Sequence, residues 1–341
     1  MRVELIHDPG MIWGLKDEWM KILDEIPDRH PFLTPHWMGM SFEYFVTDEK
    51  LTVAVVKDDF GNVVGIFPFI LRNTDEGKSL GFTPHASLTP YVDLIVSQKI
   101  RKQALISALR LIKAEEQNFY ISLKGLKESS PSIWTLEQVV DSFNMEPQKS
   151  LRSETLYLDL PETVEEVLYR GRGKSWKKLQ SVYKKMERGD FNIEIFDSIG
   201  DVDEHFGSLW RLVKMVHDKR LVTPGKEAFL REVFMLFARE GWIKLFIVRA
   251  DGWRIAAGAV FDYDDTYYLY LSGYDPEAEE AKPLNALFLS ILSDAISHQK
   301  KRFEIVEHED MFKEISGMKK LKVYNFRAYS KELVDSGVKA G

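Results

Sequence analysis

The sequence predicts an α/β protein built from two copies of one unit. Three observations predict it. The chain has 341 residues, enough for two domains of ordinary size. A hairpin-like pattern of β-branched and aromatic residues occurs twice, and each copy is followed by strand-like, helix-like and strand-like segments in the same order.

The first copy opens with Leu51-Thr52-Val53-Ala54-Val55-Val56-Lys57, turns at Asp58-Asp59-Phe60-Gly61-Asn62 and returns through Val63-Val64-Gly65-Ile66-Phe67-Pro68-Phe69-Ile70. Apolar runs around a turn carrying Asp and Gly specify a hairpin. Tyr91-Val92-Asp93-Leu94-Ile95-Val96 then predicts a strand. Ala104, Leu105, Ala108, Leu109, Leu111 and Ile112 recur at helical spacing, and Phe119-Tyr120-Ile121-Ser122-Leu123 predicts a further strand. The second copy opens with Ile243-Lys244-Leu245-Phe246-Ile247-Val248-Arg249, turns at Ala250-Asp251-Gly252-Trp253-Arg254 and returns through Ile255-Ala256-Ala257-Gly258-Ala259-Val260-Phe261. The strand Thr266-Tyr267-Tyr268-Leu269-Tyr270-Leu271 follows. Leu284, Leu287, Phe288, Ile291, Leu292, Ala295 and Ile296 mark a helix, and Arg302-Phe303-Glu304-Ile305-Val306 a strand. Each strand–helix–strand step favours a parallel crossover beside an antiparallel hairpin, so each sheet is expected to be mixed.

The patterns are interrupted near residues 145–160 by Asn144, Pro147, Ser150, Ser153 and Pro161, which places the expected domains at 1–150 and 151–341. Between Pro161 and the second hairpin, three helices are expected at Lys174–Arg188, Val202–His217 and Lys226–Glu240, the last begun by Thr223-Pro224-Gly225. In the first, Trp176, Leu179, Val182, Tyr183 and Met186 share one face, and Gly189 supplies the C-terminal cap.

Composition excludes several classes. There is no cysteine, hence no disulfide, thiolate zinc site, iron–sulfur cluster or cysteine nucleophile, and a reducing, cytoplasmic setting fits. The first nine residues carry charges where a signal peptide needs an apolar run, and no stretch approaches the ~18 apolar residues of a membrane span. With 46 Lys+Arg against 53 Asp+Glu, a net −7, a general nucleic-acid coat protein is disfavoured. Gly171-Arg172-Gly173-Lys174-Ser175 lacks the preceding strand and glycine spacing of a phosphate loop. His308-Glu309-Asp310 offers one histidine with no second nearby, and neither His-Glu-x-x-His nor Gly-x-Ser-x-Gly occurs, so no metal is expected.

The order hairpin, strand, loop, helix, strand in the second half resembles the GNAT superfamily of acyltransferases. Several segments, in their order, resemble its CelD-like, Fem-related double-GNAT branch: Trp19…Leu23…Pro31-Phe32-Leu33-Thr34-Pro35-His36-Trp37, the basic segment Lys174–Gly189, Leu209-Trp210…Val216-His217-Asp218-Lys219-Arg220, Ser272-Gly273-Tyr274-Asp275, and Phe303-Glu304-Ile305…Phe312-Lys313. The resemblance implies two tandem GNAT-like domains with mixed sheets. It also implies an acyl-CoA or acetyl-CoA donor, whose pyrophosphate meets a loop and the free amides of a helix start. The positions concerned are Leu271, Ser272, Gly273, Lys282, Asn285 and Ala286, with Ser272-Gly273 as the expected bulge and Pro283 in the first helical turn. Glu277, Glu279 and Glu280 stand in that loop against one Lys282, charges that oppose a pyrophosphate.

Acyl transfer to an amine needs a base, oxyanion donors and an acid for the leaving group. Asp275 or Glu304 is the candidate base, with a solvated carboxylate as the alternative in each case. Tyr270 and Tyr274 are candidate acids or orienting groups, with plain packing as the alternative. Tyr91, Asp93, His217, Arg220 and Lys313 are candidate substrate contacts, against structural or solvated roles. Residues 170–188 hold eight Lys/Arg and one Glu, leaving −14 on the remainder. This segment is either a solvated helix face or a contact for a phosphate-bearing donor, a lipid-linked acceptor or tRNA. The expected function is an N-acyltransferase acting on an amine of a cell-surface sugar, polysaccharide precursor or peptide. The alternatives are an aminoacyl-tRNA-dependent Fem-type transferase and a non-catalytic GNAT-like binding protein.

Overall fold

The computed structural model describes residues 1–341 except 48, 83–84, 86, 117, 171–173, 218–221, 307–317 and 332–341, and the backbone alone at 170 and 174–176. The chain forms two compact units. One comprises Met1–Glu154 and the segment from Lys322 onward, and the other Thr155–Leu321. The division differs from 1–150 and 151–341 in that the final strand belongs with the first unit.

The first unit contains β1 (Arg2–Ile6), α1 (Lys16–Asp24), α2 (Pro35–Phe45), β2 (Lys50–Lys57), β3 (Val63–Thr74), β4 (Gly77–Gly81), β5 (Ile95–Val96), α3 (Arg101–Glu115), β6 (Tyr120–Lys127), α4 (Ser132–Asp141) and the start of β7 (Met145–Asp159). The β2–β3 turn is fixed by Asp58, whose Oδ1 accepts the amides of Phe60 and Asn62, each at 2.9 Å. Ala104, Leu105, Ala108, Leu109 and Ile112 of α3 bury against Phe67, Phe69, Ile121 and Leu123 of the sheet, and α4 adds Leu136, Val139 and Val140. Each buried Leu, Ile, Val or Phe among them contributes ~1.5–3 kcal/mol of transfer free energy.

The second unit contains α5 (Val164–Arg170), α6 (Lys174–Glu187), β8 (Asn192–Phe196), α7 (Ile199–Val216), α8 (Pro224–Glu240), β9 (Ile243–Ala250), β10 (Trp253–Tyr263), β11 (Thr266–Tyr274), α9 (Pro283–Ser297), β12 (Arg302–Ile305) and the start of β13 (Lys319–Ser330). Asp251 and Gly252 both take positive φ (49° and 82°) in the two-residue β9–β10 loop, the backbone a type I′ hairpin requires. In α6, Leu179 and Val182 are buried against the α9 core, as their spacing predicts.

The two sheets repeat one plan. In the first unit the order is β1-β2-β3-β4-β6-β13, antiparallel except for the parallel pair β4–β6. In the second it is β8-β9-β10-β11-β12-β7, antiparallel except for β11–β12. The expected strand Tyr91–Val96 is corrected: only Ile95–Val96 pairs, antiparallel with Ile66 and Gly65, and the strand equivalent to β11 is β4. The sixth strand of each sheet comes from an unexpected place. Residues 156–159 of β7 pair with β12, and residues 323–328 of β13 pair with β6.

Candidate functional site

The site is built on β11. This strand pairs with β12 from Thr266↔Arg302 to Leu269↔Ile305, and one further bond runs from the Val306 amide to the Leu269 carbonyl. Its pairing with β10 continues to Tyr274↔Ala256. Among the described residues, Leu271–Tyr274 therefore have a ladder partner on the β10 side only. The described stretch that carries β12 ends at Val306, so any neighbour of Leu271–Tyr274 on that side lies outside the described residues.

The register shifts once, between Ala259↔Leu271 and Val260↔Leu269, so Tyr270 is the extra residue of a bulge. The bulge thus lies at Tyr270 and not at Ser272-Gly273. It reverses the alternation of side chains. Tyr267 and Leu269 face the α9 core, and beyond the bulge Tyr274 returns to that face while Gly273 turns to α7. Tyr270 is buried and stacks on Phe261 with centroids 4.9 Å apart, a packing role. Leu271 is also buried. The backbone of α7 rests directly on Gly273: a Cβ there would lie 2.6 Å from the Leu212 carbonyl oxygen, and nearer still to that carbonyl carbon and to the Val213 nitrogen.

That close approach delivers His217, at the C-terminal cap of α7, to the strand. Its Nε2 lies 2.6 Å from the Ser272 carbonyl oxygen, which only accepts, so Nε2 carries the proton. Burial lowers the imidazole pKa and the carbonyl bond partly offsets this. His217 is thus a neutral ring that holds the backbone of β11 at Ser272.

The loop after β11 is wound into a short 3₁₀ turn, Pro276–Ala281. Asp275 starts it: Oδ1 accepts the Glu277 amide at 3.0 Å and its carbonyl accepts the Ala278 amide at 3.0 Å. Lys282 closes the turn in the left-handed conformation (φ 58°), donating its amide to the Glu279 carbonyl. Its Nζ donates to Glu279 Oε1 at 3.1 Å. The amides of Asn285 and Ala286, at the start of α9, both bond the Lys282 carbonyl. The donors expected to meet a pyrophosphate are thus largely committed within the chain, and Lys282 already answers a carboxylate. The turn is a poor receptor for a pyrophosphate. Tyr274 hydrogen-bonds Glu279; burial first, and then this carboxylate, raise its pKa, so the phenol keeps its proton.

Glu304 stands on β12 opposite Tyr268 and Tyr157, in the paired part of the sheet. It is buried, with Oε1 3.7 Å from Arg302 Nη1. Of the two candidate bases, Asp275 is the one directly after the end of β11. A network absent from the sequence reading anchors α9 to the sheet. Asp294 Oδ2 accepts from Lys244 Nζ at 2.9 Å and from the Tyr267 hydroxyl at 2.8 Å. A lysine inside a strand and an aspartate inside an apolar helix were its only sequence signal.

In the first unit, Tyr91 is fully buried against His30 and Phe32 and lies beneath Lys127 Nζ, 4.5 Å from its ring centroid. Asp93 is buried, accepting from the Ser130 hydroxyl and the Leu94 amide at 2.7 Å each. Burial raises its pKa against these bonds. Both residues have packing or hydrogen-bonding roles. Arg220 and Lys313, like His308 and Phe312, lie outside the described residues. Among the described residues no group of three or more His, Asp or Glu could hold a metal, and no helix is long and apolar enough to cross a membrane.

Residues 173–314 match the family described as acetyltransferase (GNAT) domain. The solved structure of FemX is similar over 99% of this chain and 100% of its own, with a TM-score of 0.69 at 11% identity. The match to a GNAT domain thus falls within the second half of the chain, and the chain as a whole is Fem-like in fold. It also resembles L-PGS from Bacillus licheniformis, with a TM-score of 0.54, 12% identity and coverage of 94% and 96% of the two chains. The C-terminal domain of a putative lysylphosphatidylglycerol synthetase from Agrobacterium fabrum gives 0.51, 10%, 94% and 96%. At these identities the likeness is one of fold. No curated protein matches the sequence. Two mixed α/β sheets of one plan make the fold a tandem GNAT arrangement, of the acyltransferase type.

Proposed function

We propose that this protein transfers an aminoacyl group from an activated ester, such as aminoacyl-tRNA, to an amine of a cell-envelope precursor, a sugar or a peptide. The observation that carries the reading is the acidic, Asp275-capped turn beside Tyr274. It disfavours a donor held by its pyrophosphate and leaves a protonated phenol at the C-terminal end of β11. The resemblance to Fem-type transferases supports the same donor, as does a neighbour of like fold whose name contains lysylphosphatidylglycerol. In the proposed reaction the amine nitrogen bonds the ester carbonyl carbon and the carbon–oxygen bond of the ester breaks. Tyr274 gives a proton to the leaving oxygen, and Asp275 takes one from the amine. A second reading, an acyl-CoA donor, is favoured by the match of residues 173–314 to an acetyltransferase (GNAT) domain.

The donors are separable. Aminoacyl-tRNA should be retained on the protein in a salt-sensitive way and acetyl-CoA should leave the melting temperature unchanged. A saturable rise with acetyl-CoA and no retention of tRNA would overturn the reading in favour of the second. Tyr274→Phe is expected to lower kcat by about 100-fold or more with the melting temperature little changed, measured by transfer of a labelled acyl group to an amine acceptor. Asp275→Asn retains a capping oxygen and removes the base. Undiminished turnover in this variant would leave Asp275 as a cap alone.

A further inference from the structure

The open face of the first unit's sheet carries a second constellation, distinct in residues and in unit from the one on β11. Leu71, Leu80, Ile121, Leu123 and Phe326 point into the core, so their strand neighbours point to the other face. There, Arg72 opposes Ser79 and Ser79 opposes Tyr120. Ile70 opposes Gly81, and Ser122 opposes Arg327. Ser79, Gly81 and Ser122 thus leave room on the middle strands β4 and β6, with Arg72 and Arg327 on the flanking strands and Lys124 also on β6. Gly81 has no room for a side chain, since a Cβ would lie 2.8 Å from the Ser122 carbonyl oxygen. The result is a cavity of about 90 Å³ whose lining includes Arg72, Ser79, Gly81, Ser122, Lys124 and Arg327.

Three cations line it. Glu49 Oε1 pairs with Arg72 at 3.0 Å, and Glu76 Oε2 lies 3.8 Å from Arg327. Arg152 donates to the Lys124 carbonyl at 3.2 Å. Burial, and then Arg327, Arg72 and Arg152, lower the Lys124 pKa, partly offset by Glu76. A lysine held among like charges costs stability in the empty protein, an arrangement that a bound anion relieves. Ser79 and Ser122 line the same cavity and carry hydroxyl donors for oxygen atoms, while the Thr74 hydroxyl donates to the Gly77 carbonyl.

We propose that this pocket binds a phosphoryl group, with Lys124 and Arg327 as its principal cations and Ser79 and Ser122 at its floor. A small oxyanion suits a cavity of this volume with three cations in its lining. The proposal does not rest on the transfer reading, since no residue of the β11 site lines the pocket.

The test is a thermal-shift titration of the full chain with inorganic phosphate and, separately, glycerol 3-phosphate, against sodium chloride and acetate at equal ionic strength. Phosphate is expected to raise the melting temperature saturably, by about 2–4 °C. A larger shift with the ester than with the free ion identifies a phosphorylated molecule as the ligand, and the reverse identifies free phosphate. Lys124→Gln should abolish the shift and raise the melting temperature of the empty protein by about 1–2 °C. Ser79→Leu, which fills the floor and changes no charge, should abolish the shift too. No saturable shift, an equal shift with acetate, or a shift retained in both variants would overturn the proposal.

Discussion

Replacing Gly273 by alanine is expected to destabilise the second unit by about 3 kcal/mol or more, and to abolish activity with it. The backbone conformation is not the reason, because φ at Gly273 is not positive. Space is. The new methyl would meet the backbone of α7 at Leu212 and Val213, and a helix backbone cannot rotate aside as a side chain does. The helix must lift from the sheet, carrying His217 away from the Ser272 carbonyl and uncovering the packing of Phe206 and Trp210. A second glycine in α7, exposed Gly207, supplies the control: nothing lies within 4 Å of its Cβ position, so Gly207→Ala should gain up to ~1 kcal/mol of helix propensity. Melting curves of the two variants should therefore shift in opposite directions. A Gly273→Ala protein that melts with the parent would refute the close approach of α7 to β11.

Asp294→Ala is expected to cost about 3–5 kcal/mol, because it removes the partner of a nearly buried cation. The side chains of Lys244 and Asp294 are each 11% exposed. Truncating the carboxylate also takes the acceptor from the Tyr267 hydroxyl, whose pKa is driven far up by burial and by this bond. The loss should fall mainly on the Lys244 charge and not on the missing volume. The double variant Lys244→Met with Asp294→Leu removes both charges and is expected to recover most of the stability, as apolar replacement of buried pairs often does. Urea denaturation of the two single variants and the double completes the cycle; additive single losses would show that the pair is not coupled.

Elements whose signal is local were legible in the sequence. The helices expected at Lys174–Arg188, Val202–His217 and Lys226–Glu240 follow from apolar spacing and the Thr223-Pro224-Gly225 start, and stand at 174–187, 199–216 and 224–240. Ser198, which caps the second a turn earlier, is not part of that expectation, while the Asp251-Gly252 turn follows from its residue types. The strand Gly77-Lys78-Ser79-Leu80-Gly81 was not, since one apolar residue in five gives no period; its place is set by neighbours on both sides. The bulge at Tyr270 was equally hidden, because Thr266–Leu271 reads as an unbroken strand and the shift appears only against β10. Part of the site could have been read further. Asp275-Pro276 is an N-cap followed by a first-turn proline, and it announces a wound turn in place of an open glycine-rich loop. The anchoring of α9 by Lys244 and Asp294 joins residues 50 apart, beyond any local pattern.

Each sheet ends in a strand that the chain supplies from the other side of the unit boundary: β7 runs on from the first unit to pair with β12, and β13 runs on from the second to pair with β6. A gene cut after Glu154 would yield an amino-terminal fragment with β6 exposed as a raw edge, and a remainder carrying an orphan tail. Neither product is a domain in the sense of a separable cassette. The ancestral doubling that this repeat suggests has been sealed by the path of the polypeptide, so that shuffling one half into another protein would require its borrowed ribbon to travel with it.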